Sequence, residues 1–344
     1  MHIDILTETR HTAYDAFLLD HHNTLLYQSS RYMSLIQDLL GCRQATLIAV
    51  QDDGTLCGAL PLMEADGSYG TVVNSLPFYG SNGGLICNDP IACNLLADAY
   101  NAKVAMPSVA AATVIENPLS ANYVSSWRHE LSDERIGQFT PIGHLVDHEA
   151  VLMDSFHYKT RNMIRKAEKL GATIAVENDA MDFVVQVHEE NMREIGGQTK
   201  PRRFFELIPL HFRAGLDYNI YVTRLGGDQV AAVLLFYFNR TVEYFTPVVR
   251  KKFRDSQGVS AAIYRAMCDA SKAGFHWWNW GGTWLSQDGV YRFKSRWNTQ
   301  DLRYLYFTTV KNPAVLQARR SELLLDYPFF YVVPFASLHE ITLA

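Results

Sequence analysis

The sequence predicts a two-domain α/β protein with mixed sheets. Its 344 residues exceed the usual size of one domain. Helical and strand-like segments alternate along most of the chain. A hairpin pattern occurs once in each half, at 46–63 around an Asp-Gly turn and at 219–238 around a Gly-Gly-Asp turn. A polar segment at 125–150 separates the halves. We therefore expect one domain over residues 1–150 and a second over 151–344.

Local patterns define the elements of the first half. In chain order they predict a strand at 1–8, a helix at 30–40, the hairpin at 46–63, a glycine-rich loop with aromatic residues at 74–88, a helix at 90–105 and a strand at 111–116. Asp89 directly precedes Pro90, a pair that is typical of a helix start.

The second half predicts a longer series of elements. They are a helix at 158–170, a strand at 173–177, helices at 181–195 and 203–214, a three-strand meander at 219–249, a helix ending at Gly274, strands at 277–280 and 302–310, a helix at 313–325 and an apolar tail. Within 289–297, apolar and cationic side chains alternate. This alternation predicts an extended strand with Tyr291 and Phe293 on one side and Arg292 and Lys294 on the other.

Bulk properties narrow the protein class. The net charge of -5 gives no global positive field for nucleic acid, although a local basic patch can still bind it. Five dispersed cysteines favour a reducing, cytoplasmic location. We expect neither a signal peptide nor a membrane span. His144 and His148 lie four residues apart, but no third ligand accompanies them, so no metal site is expected.

Several ordered motifs resemble one protein family. They are Gly58-Ala-Leu-Pro-Leu, Ser75-Leu-Pro-Phe-Tyr-Gly-Ser-Asn-Gly-Gly-Leu, Lys159-Thr-Arg-Asn-Met-Ile-Arg-Lys-Ala-Glu-Lys-Leu-Gly171, Gly281-Gly-Thr and Gly289-Val-Tyr-Arg-Phe-Lys294. Together they resemble the FemAB-like, peptidoglycan bridge-forming branch of the GNAT acyltransferase superfamily. The resemblance implies two tandem GNAT-like domains, the first degenerate and on the acceptor side, the second catalytic.

The resemblance also implies a reaction. FemAB-type enzymes transfer an aminoacyl group from aminoacyl-tRNA to an amine of a peptidoglycan precursor, so we expect aminoacyl or acyl transfer to an amine of a cell-envelope precursor or related small molecule. One alternative is an acyl-CoA-dependent N-acetyltransferase acting on a sugar or amino-acid amine. Another is a non-catalytic scaffold for envelope assembly. No bound cofactor is expected; the donor is aminoacyl-tRNA or acyl-CoA, and the acceptor is a small molecule or a nucleotide-linked precursor.

The candidate site residues fall into three groups. The resemblance assigns Lys294 to the stabilisation of developing negative charge, with Phe293 and Tyr291 beside it. The candidate substrate-binding residues are Tyr79, Asn82, Trp284, Arg292 and Arg296. The candidate donor- or phosphate-binding residues are Lys159, Arg161, Arg165, Gln257 and Gly258. The alternative for the cations is an ordinary solvated surface, and for the loop around Asn82 a tight turn.

One motif departs from CoA-using GNAT enzymes. Those enzymes carry Arg/Gln-x-x-Gly-x-Gly/Ala before a helix, where backbone N–H groups hold pyrophosphate. This chain has Asp255-Ser-Gln-Gly258-Val-Ser260 in that frame. The acid weakens the expectation of CoA, while a shifted register leaves Gln257 or Arg254 available.

Overall fold

A computed structural model describes residues 1–78, 82–120, 127–143, 147–284 and 287–338. The chain forms two compact units, one of Met1–Arg135 with Arg303–Ala344 and the other of Ile136–Leu302. This division differs from the predicted domains, since the end of the expected 151–344 domain lies in the first unit. Strand pairing is the reason: residues 306–310 pair antiparallel with residues 111–115.

The elements have the following bounds. The described α-helices are α1 His11–Asp20, α2 Ser30–Leu40, α3 Pro90–Val104, α4 His148–Ser155, α5 Tyr158–Lys169, α6 Met181–Ile195, α7 Arg202–His211, α8 Gly258–Lys272, α9 Asp288–Ser295 and α10 Arg320–Asp326. The strands are β1 His2–Ile5, β2 Arg43–Gln44, β3 Leu47–Val50, β4 Leu56–Leu60, β5 Met63–Gly67, β6 Gly70–Asn74, β7 Ile86–Cys87, β8 Val109–Ile115, β9 Leu131–Pro141, β10 Thr173–Val176, β11 Tyr218–Leu225, β12 Asp228–Phe238, β13 Thr241–Val249, β14 Trp277–Thr283 and β15 Gln300–Val310.

The first unit contains strands in two sheets. One has the order β1-β3-β4-β7, and the other includes β15, β8, β6, β5 and β2 as successive neighbours. Helix α3 contributes Leu96 and Tyr100 to a core that also holds Leu47 and Val73. Asp89 caps α3 by accepting a hydrogen bond from the amide of Ile91, at 2.9 Å. The cap explains this acid without a role in binding.

The second unit is built on the strand order β10-β11-β12-β13-β14-β9. Helix α8 packs on one face, where Leu235, Val242 and Trp278 share its core. The opposite face carries Phe236, which stacks edge-on against Phe212 after α7. Cross-strand neighbours share a face of a sheet, so Glu243, paired with Phe236, points to the α7 side.

Two strands of this sheet separate after a short parallel contact. Strand β13 pairs with β14 only where residues 241–243 meet residues 277–279. Beyond that point β13 stays with β12 and β14 stays with β9. A bulge at Phe245, between the pairs Leu235–Tyr244 and Leu234–Thr246, adds to the bend of β13. The result is an opening between two strands of one sheet.

The segment 288–295 is a helix, so the predicted strand is wrong. On a helix, residues three or four apart share a face. Phe293 of the helix and Trp297, two residues beyond its end, contact each other. Both also contact Trp280, with ring centroids 5.9 and 5.5 Å from that of Trp280. The alternation of apolar and cationic residues was a coincidence of spacing. The predicted helix at 313–325 is also wrong in part, because α10 begins only at Arg320.

The predicted strand at 277–280 is confirmed, and two of its tryptophans lie in the core. Trp278 is completely buried and Trp280 nearly so. The meander 219–249 and the helices at 30–40, 158–170 and 181–195 are also confirmed. Within the described ranges, no helix combines the length and the apolar character needed to span a membrane.

We expect Trp297→Ala to lower the free energy of unfolding by about 3–5 kcal/mol, as large aromatic deletions in cores do. Trp297 is fully buried against Phe156 and Trp280, so the substitution leaves a cavity. Urea denaturation followed by circular dichroism measures the change.

The matched control is Trp284→Ala. The Trp284 side chain is 46% exposed, and surface substitutions usually change stability by less than about 0.5 kcal/mol. Equal losses in the two variants would contradict the assignment of Trp297 to the core of the second unit.

Candidate functional site

A pocket of about 370 Å³ lies beside β13 where it has separated from β14. Its described lining is mostly apolar and comes from α5, α6, β13, α8 and α9: Met163, Asn191, Tyr244, Pro247, Val248, Val249, Arg254, Gln257, Gly258, Val259, Ser260 and Phe293. We call it the strand-gap pocket. Among the predicted site residues it brings together Gln257, Gly258 and Phe293.

The start of α8 forms one wall of this pocket. Gln257 has φ 62°, a left-handed conformation that turns the chain sharply into the helix. Gly258 follows in a tight position, since a Cβ there would meet Ala231 and Thr223 at 3.3 Å. The Thr223 hydroxyl donates to the Gly258 carbonyl at 2.8 Å and fixes the turn. The N-terminus of a 15-residue helix therefore faces the pocket, and its N–H groups favour negative charge.

Asn191 holds the far end of β13. Its side chain donates to the Val249 carbonyl at 2.9 Å and accepts from the Val249 amide at 3.2 Å. These two bonds substitute for a neighbouring strand at a point where β13 no longer pairs with β14. The opening thus keeps its shape without closing the sheet.

Lys294 lies inside the protein at the start of a hydrogen-bond chain. Its Nζ donates to the carbonyls of Gly281 and Gly282, at 3.3 and 3.2 Å, and to the Thr283 hydroxyl at 2.9 Å. All three ammonium protons thus have acceptors. The Thr283 hydroxyl then donates to Gln138 at 3.0 Å. The predicted alternative, a surface lysine, is wrong, because the side chain is buried.

Burial lowers the pKa of Lys294 to about 8 from an ordinary value of about 10.5. Removal from water disfavours the charged form, and none of the described contacts is a carboxylate that would restore it. At neutral pH the group remains mostly an ammonium. It can therefore act as a cation at pH 7 and loses its charge about one unit higher.

The hydrogen-bond chain continues to Tyr291. Gln138 donates to Asp301 at 3.4 Å, and the Tyr291 hydroxyl donates to the same carboxylate at 2.6 Å. This acceptor contact raises the pKa of Tyr291, since the carboxylate stabilises the protonated phenol. Tyr291 and Lys294 lie one turn apart on α9, and the side chains of Asp301, Gln138 and Thr283 connect them by hydrogen bonds.

Sequence reasoning missed a buried acid. Glu243 is 1% exposed, and its Oε2 accepts a hydrogen bond from Asn279 at 2.8 Å. These two residues form the last parallel pair before β13 and β14 separate, and the next residue, Tyr244, lines the pocket. A single acid within the apolar strand 241–249 was the available signal, because burying a carboxylate is costly unless it has a function or partners.

The remaining predicted residues near α9 lie at the surface or act through their backbone. Arg292 is exposed and its Nε donates to the Asp288 carbonyl of its own helix. The Arg296 carbonyl accepts from the amide of His157. Trp284 is not part of the described lining of the strand-gap pocket.

Three of the candidate donor-binding residues are cations of α5. Lys159 and Arg165 are exposed, whereas Arg161 donates to the carbonyls of Asp154 and Phe156 at the end of α4. Arg161 therefore supports the α4–α5 connection. Of this helix, Met163 is the residue that reaches the described pocket lining.

Of the two candidates in the first unit, Tyr79 lies outside the described residues. Asn82 is buried, and its side chain donates to the Glu116 carbonyl at 3.3 Å. Of the two histidines, His144 also lies outside the described part, and His148 bonds to Ser271 at 2.7 Å. The described residues contain no group of three or more His, Cys, Asp or Glu placed to hold a metal ion.

Comparison with known proteins identifies the fold. A profile of the acetyltransferase (GNAT) domain matches residues 154–295. The crystal structure of FemX is similar with a TM-score of 0.69 and 15% identity, covering 92% of this chain and 98% of that one. The C-terminal domain (DUF2156) of a putative lysylphosphatidylglycerol synthetase from Agrobacterium fabrum has a TM-score of 0.55 and 13% identity, with 94% and 98% covered. The structure of L-PGS from Bacillus licheniformis has a TM-score of 0.51 and 13% identity, with 91% and 94% covered.

No curated protein is significantly similar in sequence. Residues 154–295 match the model of the GNAT acetyltransferase domain, and the chain has the fold of FemX. The predicted fold class and the predicted resemblance are both confirmed.

We expect Lys294 to lose its proton near pH 8, well below its ordinary pKa of 10.5. Lysine labelled with ¹³C at Cε reports each amine by NMR as the pH rises from 6 to 11. Lys200, which lies over the Phe245 ring, also has a pKa lowered by burial to about 8. Two early-titrating signals are therefore expected.

Single substitutions assign the two signals. Lys294→Met should remove one and Lys200→Met the other, each leaving its counterpart unchanged. A Lys294 signal that titrates with the exposed lysines would contradict the burial described above.

Proposed function

We propose that the protein is an N-acyltransferase that moves an acyl group from acyl-CoA to an amine, with the strand-gap pocket as the donor site. The observation that carries this proposal is the pocket itself: an apolar passage beside separated strands, with a helix N-terminus on one wall. An acyl chain and its thioester arm match the apolar walls, and a phosphate group matches the helix terminus.

The charge of the lining supports an uncharged acyl group. Among the described residues of the pocket there is a cation, Arg254, and neither Asp nor Glu. An aminoacyl group would bring an α-ammonium, and a buried cation needs an opposing charge or several acceptors. Acetyl and similar groups have no such requirement. Arg254 is held by Glu194 at 3.1 Å at the pocket entrance, where the donor's phosphates would pass.

The reaction needs a cation for the oxyanion and an acceptor for one proton. The amine nitrogen attacks the thioester carbonyl, a C–N bond forms, and the C–S bond breaks to release CoA thiol. We assign Lys294 to the oxyanion: exchanging one of its long carbonyl bonds, at 3.3 or 3.2 Å, for the oxyanion keeps its hydrogen bonding complete. We assign Glu243 to the proton of the attacking amine, since its carboxylate is held by Asn279 where the strands part.

The acceptor class rests on the FemAB-like resemblance. It implies an amine on a cell-envelope precursor or a related small molecule. Aminoacyl-tRNA as donor is a second candidate. The cations of α5 favour it, because Lys159 and Arg165 are exposed to solvent on that helix. A phosphate backbone would neutralise such a surface.

We expect acetyl-CoA to bind the wild-type protein and Val259→Trp to weaken binding at least tenfold. Val259 lines the strand-gap pocket in the first turn of α8, so an indole there fills the donor site. Isothermal titration calorimetry measures the affinity.

Val151→Trp is the matched control, since Val151 is 42% exposed on α4 and outside the pocket. If the wild-type protein does not bind acetyl-CoA but binds an RNA minihelix in a salt-dependent way, the donor is aminoacyl-tRNA and not acyl-CoA. Loss of binding in both tryptophan variants would reject the pocket assignment.

We expect the rate of acetyl transfer to fall as the pH rises through about 8, because the charged form of Lys294 is the active one. Hydroxylamine serves as an acceptor that stays neutral over this range, and acetohydroxamate formation gives the rate. Lys294→Met should lower the rate by about 10²–10³ and abolish this pH step, a loss typical of a missing oxyanion donor.

Lys311→Met, an exposed change in the first unit, should leave the rate and the pH profile unchanged. Glu243→Gln should slow transfer without weakening acetyl-CoA binding. A rate that rises through pH 8 in the wild type and not in Lys294→Met would instead make neutral Lys294 the base. Absence of transfer from acetyl-CoA to any amine would favour the non-catalytic scaffold.

A further inference from the structure

A second cavity of the Ile136–Leu302 unit has a different chemistry. It measures about 320 Å³ and lies at the turn between β11 and β12, beside the segment that follows β13. Its lining is Arg224, Gly227, Asp228, Gln229, Arg250, Lys252 and Phe253. Three of these seven residues are cations, whereas apolar side chains dominate the strand-gap pocket. We call it the cationic cavity.

The cations of this cavity are not equally neutralised. Arg224 makes two bonds to Glu177, each at 2.7 Å, so its charge is balanced. Arg250 lies over the Phe183 ring at 5.3 Å, and its buried Nε has no hydrogen-bond acceptor among the described residues.

Lys252 lies over the Phe253 ring at 4.7 Å. The carboxylate in the lining is Asp228, which is exposed to solvent. Two cations therefore face one acid, and a buried guanidinium N–H still lacks an acceptor. The excess of positive charge in the lining favours an anion in the cavity.

One segment separates the cationic cavity from the strand-gap pocket. Arg250, Lys252 and Phe253 line the cavity, whereas Arg254, Gln257 and Gly258 line the pocket. The two spaces are therefore adjacent along residues 250–258. A donor that places its acyl end in the pocket can pass its other end over this short segment.

We infer that the cationic cavity binds a phosphate group of the acyl donor, at the end remote from the acyl group. This rests on the proposed function, because it takes the strand-gap pocket as the acyl site. A guanidinium matches a phosphate through paired hydrogen bonds, and Lys252 adds a point charge. The chemistry required is a phosphate ester attached to an adenosine end, and it has two sources: the 3′-phosphate of CoA and the phosphodiester near the 3′ end of an RNA.

The test compares donors with and without that phosphate. Calorimetry measures the affinity of wild-type protein for acetyl-CoA and for acetyl-dephospho-CoA, which lacks only the 3′-phosphate. We expect the wild type to prefer acetyl-CoA by at least about fivefold. Arg250→Gln with Lys252→Gln should remove this preference while leaving the affinity for acetyl-dephospho-CoA unchanged. Arg250→Lys with Lys252→Arg keeps both charges and should keep the preference.

Arg203→Gln is the control for charge alone, since Arg203 is 57% exposed on α7 and should leave the preference intact. A parallel arm measures an RNA minihelix ending in CCA, whose binding the double glutamine variant should weaken if RNA is the source. Thermal unfolding confirms that each variant is folded.

The outcomes separate this inference from the proposed function. Equal affinity of the wild type for both CoA donors, with no effect of the double glutamine variant on RNA, overturns the cationic cavity as a phosphate site. If acetyl-CoA and acetyl-dephospho-CoA bind equally well but the protein still transfers the acetyl group, the cavity assignment fails and the proposed acyl transfer is retained. A phosphate preference lost in the double variant, in a protein that transfers no acetyl group, supports the cavity and rejects the proposed function.

Discussion

The separation of β13 from β14 is the constraint on which the rest of the second unit depends. Three parallel pairs bring the strands together and fix the position of Glu243 beside Asn279. Beyond them, each strand remains bound to a different neighbour. A sheet that stayed paired would leave no opening, and a sheet that split completely would lose the alignment of the two strands. The pocket exists because the pairing stops partway along.

Helix α9 places a buried cation beside the end of β14. Phe293 on its apolar side and Trp297, two residues beyond its end, pack on Trp280 of β14, and this packing fixes the rotation of the helix. Lys294 then points to the carbonyls of Gly281 and Gly282, where β14 ends. Burial lowers its pKa to about 8, so the group is charged but close to titration at neutral pH. Packing of three aromatic rings thereby sets the position and the electrostatics of one lysine.

Much of the fold was readable from local sequence. The helix at 158–170 has a clear apolar face and a glycine stop, and the meander at 219–249 has three apolar runs with turn residues between them. The strand predicted over 289–297 was wrong, because a pattern of so few residues can fit both the two-residue period of a strand and the 3.6-residue period of a helix. The contact of Phe293 with the distant Trp280 favours the helix, and a local sequence pattern does not show such a contact.

The sequence by itself determined several of the elements, the family resemblance and the identity of Lys294 as the residue to examine. Only the tertiary structure decided that residues 303–338 return to the first unit, that Glu243 and Asn279 meet where the strands separate, and that Gln257, Gly258 and Phe293 line one pocket. The physical reason is the range of the forces involved. Periodicity and caps act over a few residues, whereas strand pairing and burial join residues far apart in the chain. Burial is also what lowers the pKa of Lys294.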